Sequence, residues 1–219
     1  MTTQPVPPRW PAGIIDRIDD KPGMVALTFD DGPNVTATAH VREVLNSYGA
    51  RATFFTVGKA LDIEPALSRD LLRDGHVIAD HSYSHSLAGW LRPGDGELAA
   101  SATAFARHLA LQPAYFRPPF GLVTRETLRL LDVRGMTCVT WDVAVEDWKL
   151  DDAPEIARRV LDAIRPGSIV LLHDGHEGDV TGDRQAIVDA LPAILDGLRQ
   201  RSLQPVGLDV LLEKAPYLA

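Results

Sequence analysis

Short apolar runs alternate along this chain with longer stretches in which apolar residues recur every three or four positions. The runs 24–29, 52–57, 76–79, 136–140 and 168–172 are short and bounded by turn residues, which predicts strands. Two shorter ones are expected near 114–116 and 204–207. In 154–165, Ile156, Val160 and Ile164 recur every four residues with Leu161 beside them. In 184–199, Ile187, Leu191, Ile194, Leu195 and Leu198 mark one face. Both patterns predict helices. The stretches 36–48, 64–74, 95–111 and 124–133 read the same way. Strand and helix in this rhythm imply an α/β protein with a parallel sheet covered by helices. About seven repeats of the unit suit a barrel, complete or incomplete.

The first twelve residues hold four of the 16 prolines and predict an extended arm, 1–12. The remainder, 13–219, reads as one domain, because 219 residues are enough for one sizeable core and short for two. There is no internal repeat. The loops 86–96 and 174–183 are placed to shape a groove.

Charge excludes some partners. The net charge is −8 with no basic block, which argues against nucleic acid or an anionic membrane surface. No apolar run is long enough to span a bilayer. No obligatory protein partner is evident. The lone cysteine, Cys138, lies in Met136-Thr137-Cys138-Val139 and reads as a core thiol rather than a nucleophile. It allows no intrachain disulfide. The N-terminus has neither a basic start nor an apolar stretch, so a cytoplasmic protein is expected, or a secreted one if a leader has been removed.

Five polar clusters follow apolar runs, where parallel α/β folds place their chemistry. Asp30 and Asp31 end Thr-Phe-Asp-Asp-Gly-Pro (28–33). Adjacent buried carboxylates resist ionising together, and a cation removes that penalty. His81-Ser82-Tyr83-Ser84-His85 offers two imidazoles four apart, which on a helical turn would share a face. A carboxylate and two imidazoles make a common metal set with a position left open for water, and the second carboxylate can then take a proton from that water. Phe116-Arg117-Pro118-Pro119-Phe120-Gly121 is either a stiff loop or a device in which Arg117 holds a carboxylate while Pro118 and Pro119 aim the Phe120 N–H into the cleft. Trp141–Trp148 reads as an amphipathic loop or a cleft wall, with Asp147 available to orient a histidine. His173 leaves the apolar Ile169–Leu172 and, beside a metal, is a natural general acid.

These clusters, in this order from about Met24 to Leu212, resemble the five motifs of the polysaccharide deacetylases, the NodB-homology domains of carbohydrate esterase family 4. The resemblance implies a distorted (β/α) barrel, often of seven strands. It implies that Asp30 is the catalytic base, that Asp31, His81 and His85 bind the metal, and that Arg117 pairs with the base. It implies that the backbone at Phe120 supports the oxyanion, that Leu171 walls the acetyl pocket, and that Asp147 and Trp148 tune His173, the general acid. Four positions depart from the family pattern. Phe120 replaces a usual Tyr, Ala79 a usual Gly, Asp80 a usual Asn, and Ala144 a frequent Asp. Asp142, two residues earlier, is a candidate to compensate for Ala144. The departures bear on substrate preference more than on catalysis.

The expected activity is metal-dependent removal of N-acetyl groups from N-acetylglucosamine units of a chitin-like carbohydrate, releasing acetate. The expected cofactor is one divalent ion, with Zn²⁺ the default by availability and Co²⁺ or Ni²⁺ open. The alternatives are an O-acetyl esterase on xylan-type sugars, an amide hydrolase on a small metabolite, and an inactive carbohydrate-binding barrel.

Overall fold

The computed structural model describes residues 13–91 and 94–219. The expected arm, 1–12, lies outside the described residues. Eight strands are present among the described residues: β1 (Met24–Asp30), β2 (Thr53–Thr56), β3 (Val77–Asp80), β4 (Tyr115–Phe116), β5 (Thr137–Cys138), β6 (Val143–Ala144), β7 (Ile169–His173) and β8 (Gln204–Pro205). Seven of them run parallel in the order β5-β4-β3-β2-β1-β7-β6, and β8 pairs with the start of β1. The connection 139–142 joins β5 to β6, the two ends of that order. A flat sheet of seven strands would put its edges about 29 Å apart. The five Cα steps from Cys138 to Val143 span at most about 18 Å. The sheet must therefore curl until its edges approach, giving the distorted barrel.

Strand alternation sorts the residues. Ala26, Phe55, Val77, Ala79, Tyr115, Val139 and Ile169 pack inside the curl. Val25, Leu27, Phe29, Phe54, Ile78, Val170 and Leu172 pack outward. They meet Val41 and Leu45 of α1 (Ala37–Ser47), Val160 of α7 (Ala153–Ala163), and Leu191 and Ile194 of α8 (Gln185–Gln200). Each such buried aliphatic chain contributes about 1.5–3 kcal/mol. α3 (Pro65–Arg73), α5 (Gly96–Leu109) and α6 (Arg125–Val133) complete the outer layer. Leu208 and Leu211 of α9 (Leu208–Leu212) join the interior cluster beside Met24 and so plug the N-terminal end of the barrel. The strand C-termini are left as the open mouth.

Several details differ from the sequence expectation. Residues 141–148, read as a loop, contain β6, which pairs with β7. At two residues it is too short for its alternation to show. The 86–96 loop contains α4 (Leu87–Trp90). α2 (Gly58–Ile63) and α9 are additional; at six and five residues they are too short to display a helical period. No helix among the described residues is long and apolar enough to cross a membrane.

The turn into β7 is sterically tight. Gly167 has φ +81, and a Cβ there would sit 1.7 Å from the Ile18 carbonyl oxygen. Gly167→Ala is expected to cost roughly 2–3 kcal/mol through backbone overlap and a left-handed φ. Calorimetry should show Tm lower by about 4–12 °C; an unchanged Tm would contradict the packing described.

Candidate metal-dependent active site

Alternation explains how one carboxylate enters the mouth. Ala26, Thr28 and Asp30 share the inner face of β1, while Phe29 stacks outward on Phe54 with ring centroids 5.2 Å apart. Asp31 would therefore face outward if the strand continued. It does not, because Asp31 has φ 80 and turns the chain back toward the mouth. Gly175 of the β7–α8 loop packs on this turn; a Cβ there would lie 2.4 Å from the Asp31 carbonyl carbon.

Arg117, at 0% exposure, occupies the barrel interior beneath the site. Its Nη1 donates to Asp30 Oδ1 (2.6 Å) and Thr28 Oγ1 (2.8 Å). Nε and Nη2 donate to the carbonyls of Val139 (3.3 Å) and Thr140 (2.8 Å). The guanidinium lies 4.0 Å from the Phe55 ring centroid. Asp30 is thus fixed through Oδ1, and Oδ2 is left facing the mouth.

His81 Nδ1 lies 2.7 Å from the Arg117 carbonyl oxygen, so that nitrogen carries the proton and Nε2 the lone pair. Burial holds the ring pKa down at about 4, which keeps it neutral. Its Nε2 nevertheless faces Asp30 Oδ2 and Asp31 Oδ1, each at 3.6 Å. His85 Nε2 lies 3.3 Å from the same Asp31 oxygen. The buried Asp31 Oδ1 has no hydrogen-bond partner among the described residues. The His81 Nε2 lone pair and the Asp30 and Asp31 carboxylate oxygens thus converge, with no hydrogen bond made to Asp31 Oδ1, which suits a cation. Ligand atoms of Asp31, His81 and His85 all lie within 4.8 Å of one another. Burial pushes the Asp31 pKa up, but the charge of His173, the largest opposing influence, helps hold it below the usual value.

Across the mouth, Asp147 grips His173 twice. Oδ1 lies 3.0 Å from ring Nδ1, and Oδ2 accepts the His173 N–H at 2.8 Å. Burial favours the neutral ring, but Asp147, then Asp31 and Asp30, outweigh it and raise the pKa to about 9. Trp148 packs edge-on against this imidazole, centroids 4.9 Å apart. Leu171 is buried and in register with Thr28, which places it on the inner face below His173. Phe120 is 47% exposed, and its ring lies 4.5 Å from that of His85. Its φ of 58 is left-handed. Gly121 and Leu122 donate to the Pro118 and Pro119 carbonyls, so the Phe120 N–H stands outside the turn's own bonds.

Two expectations need correction. The His81–His85 spacing does not lie on a helical turn: residues 81–86 are irregular, with Ser82 (φ 68) and His85 (φ 52) left-handed. Asp142 does not compensate for Ala144, because its carboxylate accepts from Ser168 Oγ (3.0 Å) and Ile169 N–H (2.9 Å) at the opposite end of β7. Asp80 faces outward, accepting from Ser101 Oγ (2.7 Å) and Ser82 N–H (2.9 Å), so it is not a ligand. Sequence reading also missed Thr28, although its place two residues before Asp30 marks it on the same face. It missed a chain through Asn34, Thr38 and Asp174, in which Thr38 Oγ accepts the Asn34 N–H (2.8 Å) and donates to Asp174 Oδ2. This chain ties the Asp31 turn to the loop after His173.

The polysaccharide deacetylase family model matches residues 17–139. A chitooligosaccharide deacetylase of Azorhizobium caulinodans is 33% identical over 208 residues, 89% of this chain and 98% of the relative. The chain belongs to the polysaccharide deacetylase family. It is accordingly a metal-dependent hydrolase, and the Asp31, His81 and His85 cluster provides a fitting set of ligands. A peptidoglycan-N-acetylglucosamine deacetylase of Bacillus cereus is 31% identical over 208 residues, 92% of this chain and 94% of the relative. The crystal structure of the Bc1960 peptidoglycan N-acetylglucosamine deacetylase superposes with TM-score 0.86 at 28% identity, covering 93% of this chain and 94% of that one.

The Asp147–His173 pair makes the metal-free deacetylase sensitive to pH. Because the folded pKa (about 9) exceeds the reference 6.5, the ring charge stabilises the fold fully below pH 6.5 and loses that effect as pH rises through about 9. Asp147→Asn should lower the ring pKa by about 1–3 units, read from the imidazole NMR titration of chelated protein. It should also flatten the fall of Tm over the same interval. A ring pKa unchanged by the substitution would contradict the pairing.

Proposed function

We propose that this chain removes acetyl groups from N-acetylglucosamine units of an oligosaccharide or polysaccharide, releasing acetate and a free amino sugar. The observation that carries this reading is the convergence of a three-ligand metal set, an arginine-fixed carboxylate and an aspartate-held imidazole at one barrel mouth. The deacetylase relatives act on chitooligosaccharide and peptidoglycan by name, which supports the sugar. Oxygen and nitrogen donors without thiolate favour Zn²⁺ by availability.

The ion, when bound by Asp31, His81 and His85, supplies Lewis acidity and lowers the pKa of a water at its open position. Asp30 takes a proton from the attacking water through Oδ2, because Oδ1 is committed to Arg117. The Phe120 N–H donates to the oxygen that gains charge as the amide carbonyl becomes tetrahedral. His173, held through Nδ1 by Asp147, presents Nε2 to the departing nitrogen and protonates it. The C–N bond breaks, and water has been divided between acetate and amine. Leu171 and Trp148 border the space for the acetyl group and the sugar.

Acetate release from N-acetylated chitooligosaccharides, O-acetylated xylan and small N-acetylated metabolites tests the reading. Turnover should be highest on the first, should vanish on chelation and should return with added Zn²⁺. Full turnover by chelated protein would overturn it. Asp30→Asn should keep its metal and lose about 10²–10⁴-fold in rate. Asp31→Asn should lose metal. Equal metal loss in both would make Asp30 a ligand instead. His173→Ala should damage amide hydrolysis far more than hydrolysis of an activated aryl acetate, whose leaving group needs no proton. Equal losses would assign His173 to substrate positioning.

A further inference from the structure

The loop carrying both imidazoles of the metal set is poorly placed to keep its own shape. Left-handed conformations at Ser82 and His85 cost of order 1 kcal/mol or more each, and they persist only where the surroundings over-determine them. Within the loop, Ser82 Oγ accepts the His85 N–H at 3.2 Å. A second restraint comes from outside. Glu97, in the first turn of α5, accepts the N–H groups of Tyr83 (3.2 Å) and Ser84 (2.8 Å) on Oε2. Its Oε1 accepts the Ser84 hydroxyl at 2.8 Å. Tyr83 and Ser84 lie midway between the two histidines. The fit is close on the far side, where a Cβ at Gly89 would stand 2.7 Å from Glu97 Oε1. One helical turn on, Ser101 holds Asp80, the residue before His81. The ligand loop is therefore set between α5 and the start of α2, whose Gly58 and Lys59 N–H groups donate to the Ser82 (2.9 Å) and Tyr83 (2.8 Å) carbonyls, and Glu97 supplies the side-chain part of that hold.

We propose that Glu97 is a positioning residue of the metal site: its carboxylate clamps the His81–His85 loop in its ligating shape and so sets metal affinity without taking part in the chemistry. The proposal rests on the assignment of Asp31, His81 and His85 as ligands. Partners that orient metal ligands typically cost about 10–100-fold in affinity when removed.

The test titrates Zn²⁺ into chelated protein against a chromophoric competitor. Glu97→Ala is expected to bind Zn²⁺ about 10–100-fold more weakly. Turnover at saturating Zn²⁺ should change far less than affinity. Glu97→Gln keeps an oxygen for the two N–H groups and an amide donor for Ser84 Oγ, and should restore most of the affinity. Leu98→Ala removes a buried neighbour on the same helix without touching the loop; it should lower Tm and leave Zn²⁺ affinity in place. Wild-type affinity in Glu97→Ala, or an equal loss in Leu98→Ala, overturns the proposal. If Glu97→Ala does not fold, Ser84→Ala decides. It removes the Oε1 partner and the acceptor of the Ser86 N–H (3.2 Å) while leaving both N–H bonds to Oε2; it should weaken binding by a smaller factor, and unchanged affinity there counts against the clamp. Wild-type protein that takes up no stoichiometric Zn²⁺ would overturn the ligand set itself, which separates the two failures.

Discussion

A guanidinium buried at the centre of the barrel is the constraint from which the rest of the site follows. Arg117 reaches β1 through Thr28 and Asp30, and the β5–β6 connection through the Val139 and Thr140 carbonyls. Its own carbonyl accepts from His81. One residue therefore aligns the general base through its side chain and a metal ligand through its backbone. A charge so buried is tolerable only when fully partnered, and removing one member of such a pair costs about 3–5 kcal/mol. Every donor direction used here ends on a carboxylate or hydroxyl of β1 or a carbonyl of the β5–β6 connection. The same bonds that satisfy the charge also tie β1, across the interior, to the connection between the two edge strands.

The two adjacent aspartates acquire different roles from geometry rather than chemistry. Asp30 stays in the strand and is fixed by Arg117. Asp31 leaves it through a left-handed turn and meets the Nε2 edges of two imidazoles. Its uncapped Oδ1 and the facing His81 Nε2 lone pair are acceptors without a donor, an arrangement that burial makes costly until a cation arrives. On the other wall, Asp147 holds His173 by ring and backbone together, which fixes the tautomer as well as the position.

Much of this was legible in the chain because short apolar runs and the strand ends they define are local properties. The runs at 24–29, 76–79 and 168–172 located β1, β3 and β7, and Asp30, His81 and His173, which follow at or just past their ends, lie at the mouth. Asp142 shows the limit of that reasoning. Its distance from Ala144 suggested the same face, but two residues of strand slope separate the mouth from the floor of the barrel, and the side chain caps the start of β7. The histidine spacing likewise fitted a helical turn that is absent, because Ser82 and His85 adopt backbone angles that sequence alone does not signal. Glu97 lies twelve residues beyond His85, and only the packing of α5 against the loop brings it into contact. The Asn34–Thr38–Asp174 chain links the segments that follow the neighbouring strands β1 and β7, which lie more than a hundred residues apart in sequence.

The central claim is that one divalent ion sits among Asp31, His81 and His85 while Asp30 stays outside its coordination. Anomalous diffraction at the zinc absorption edge from crystals grown with Zn²⁺ tests this most directly. The expected result is a single strong peak bounded by Asp31 Oδ1 and the Nε2 atoms of both histidines, with Asp30 still bound to Arg117. A peak ligated by Asp30, or none at the barrel mouth, would contradict the account.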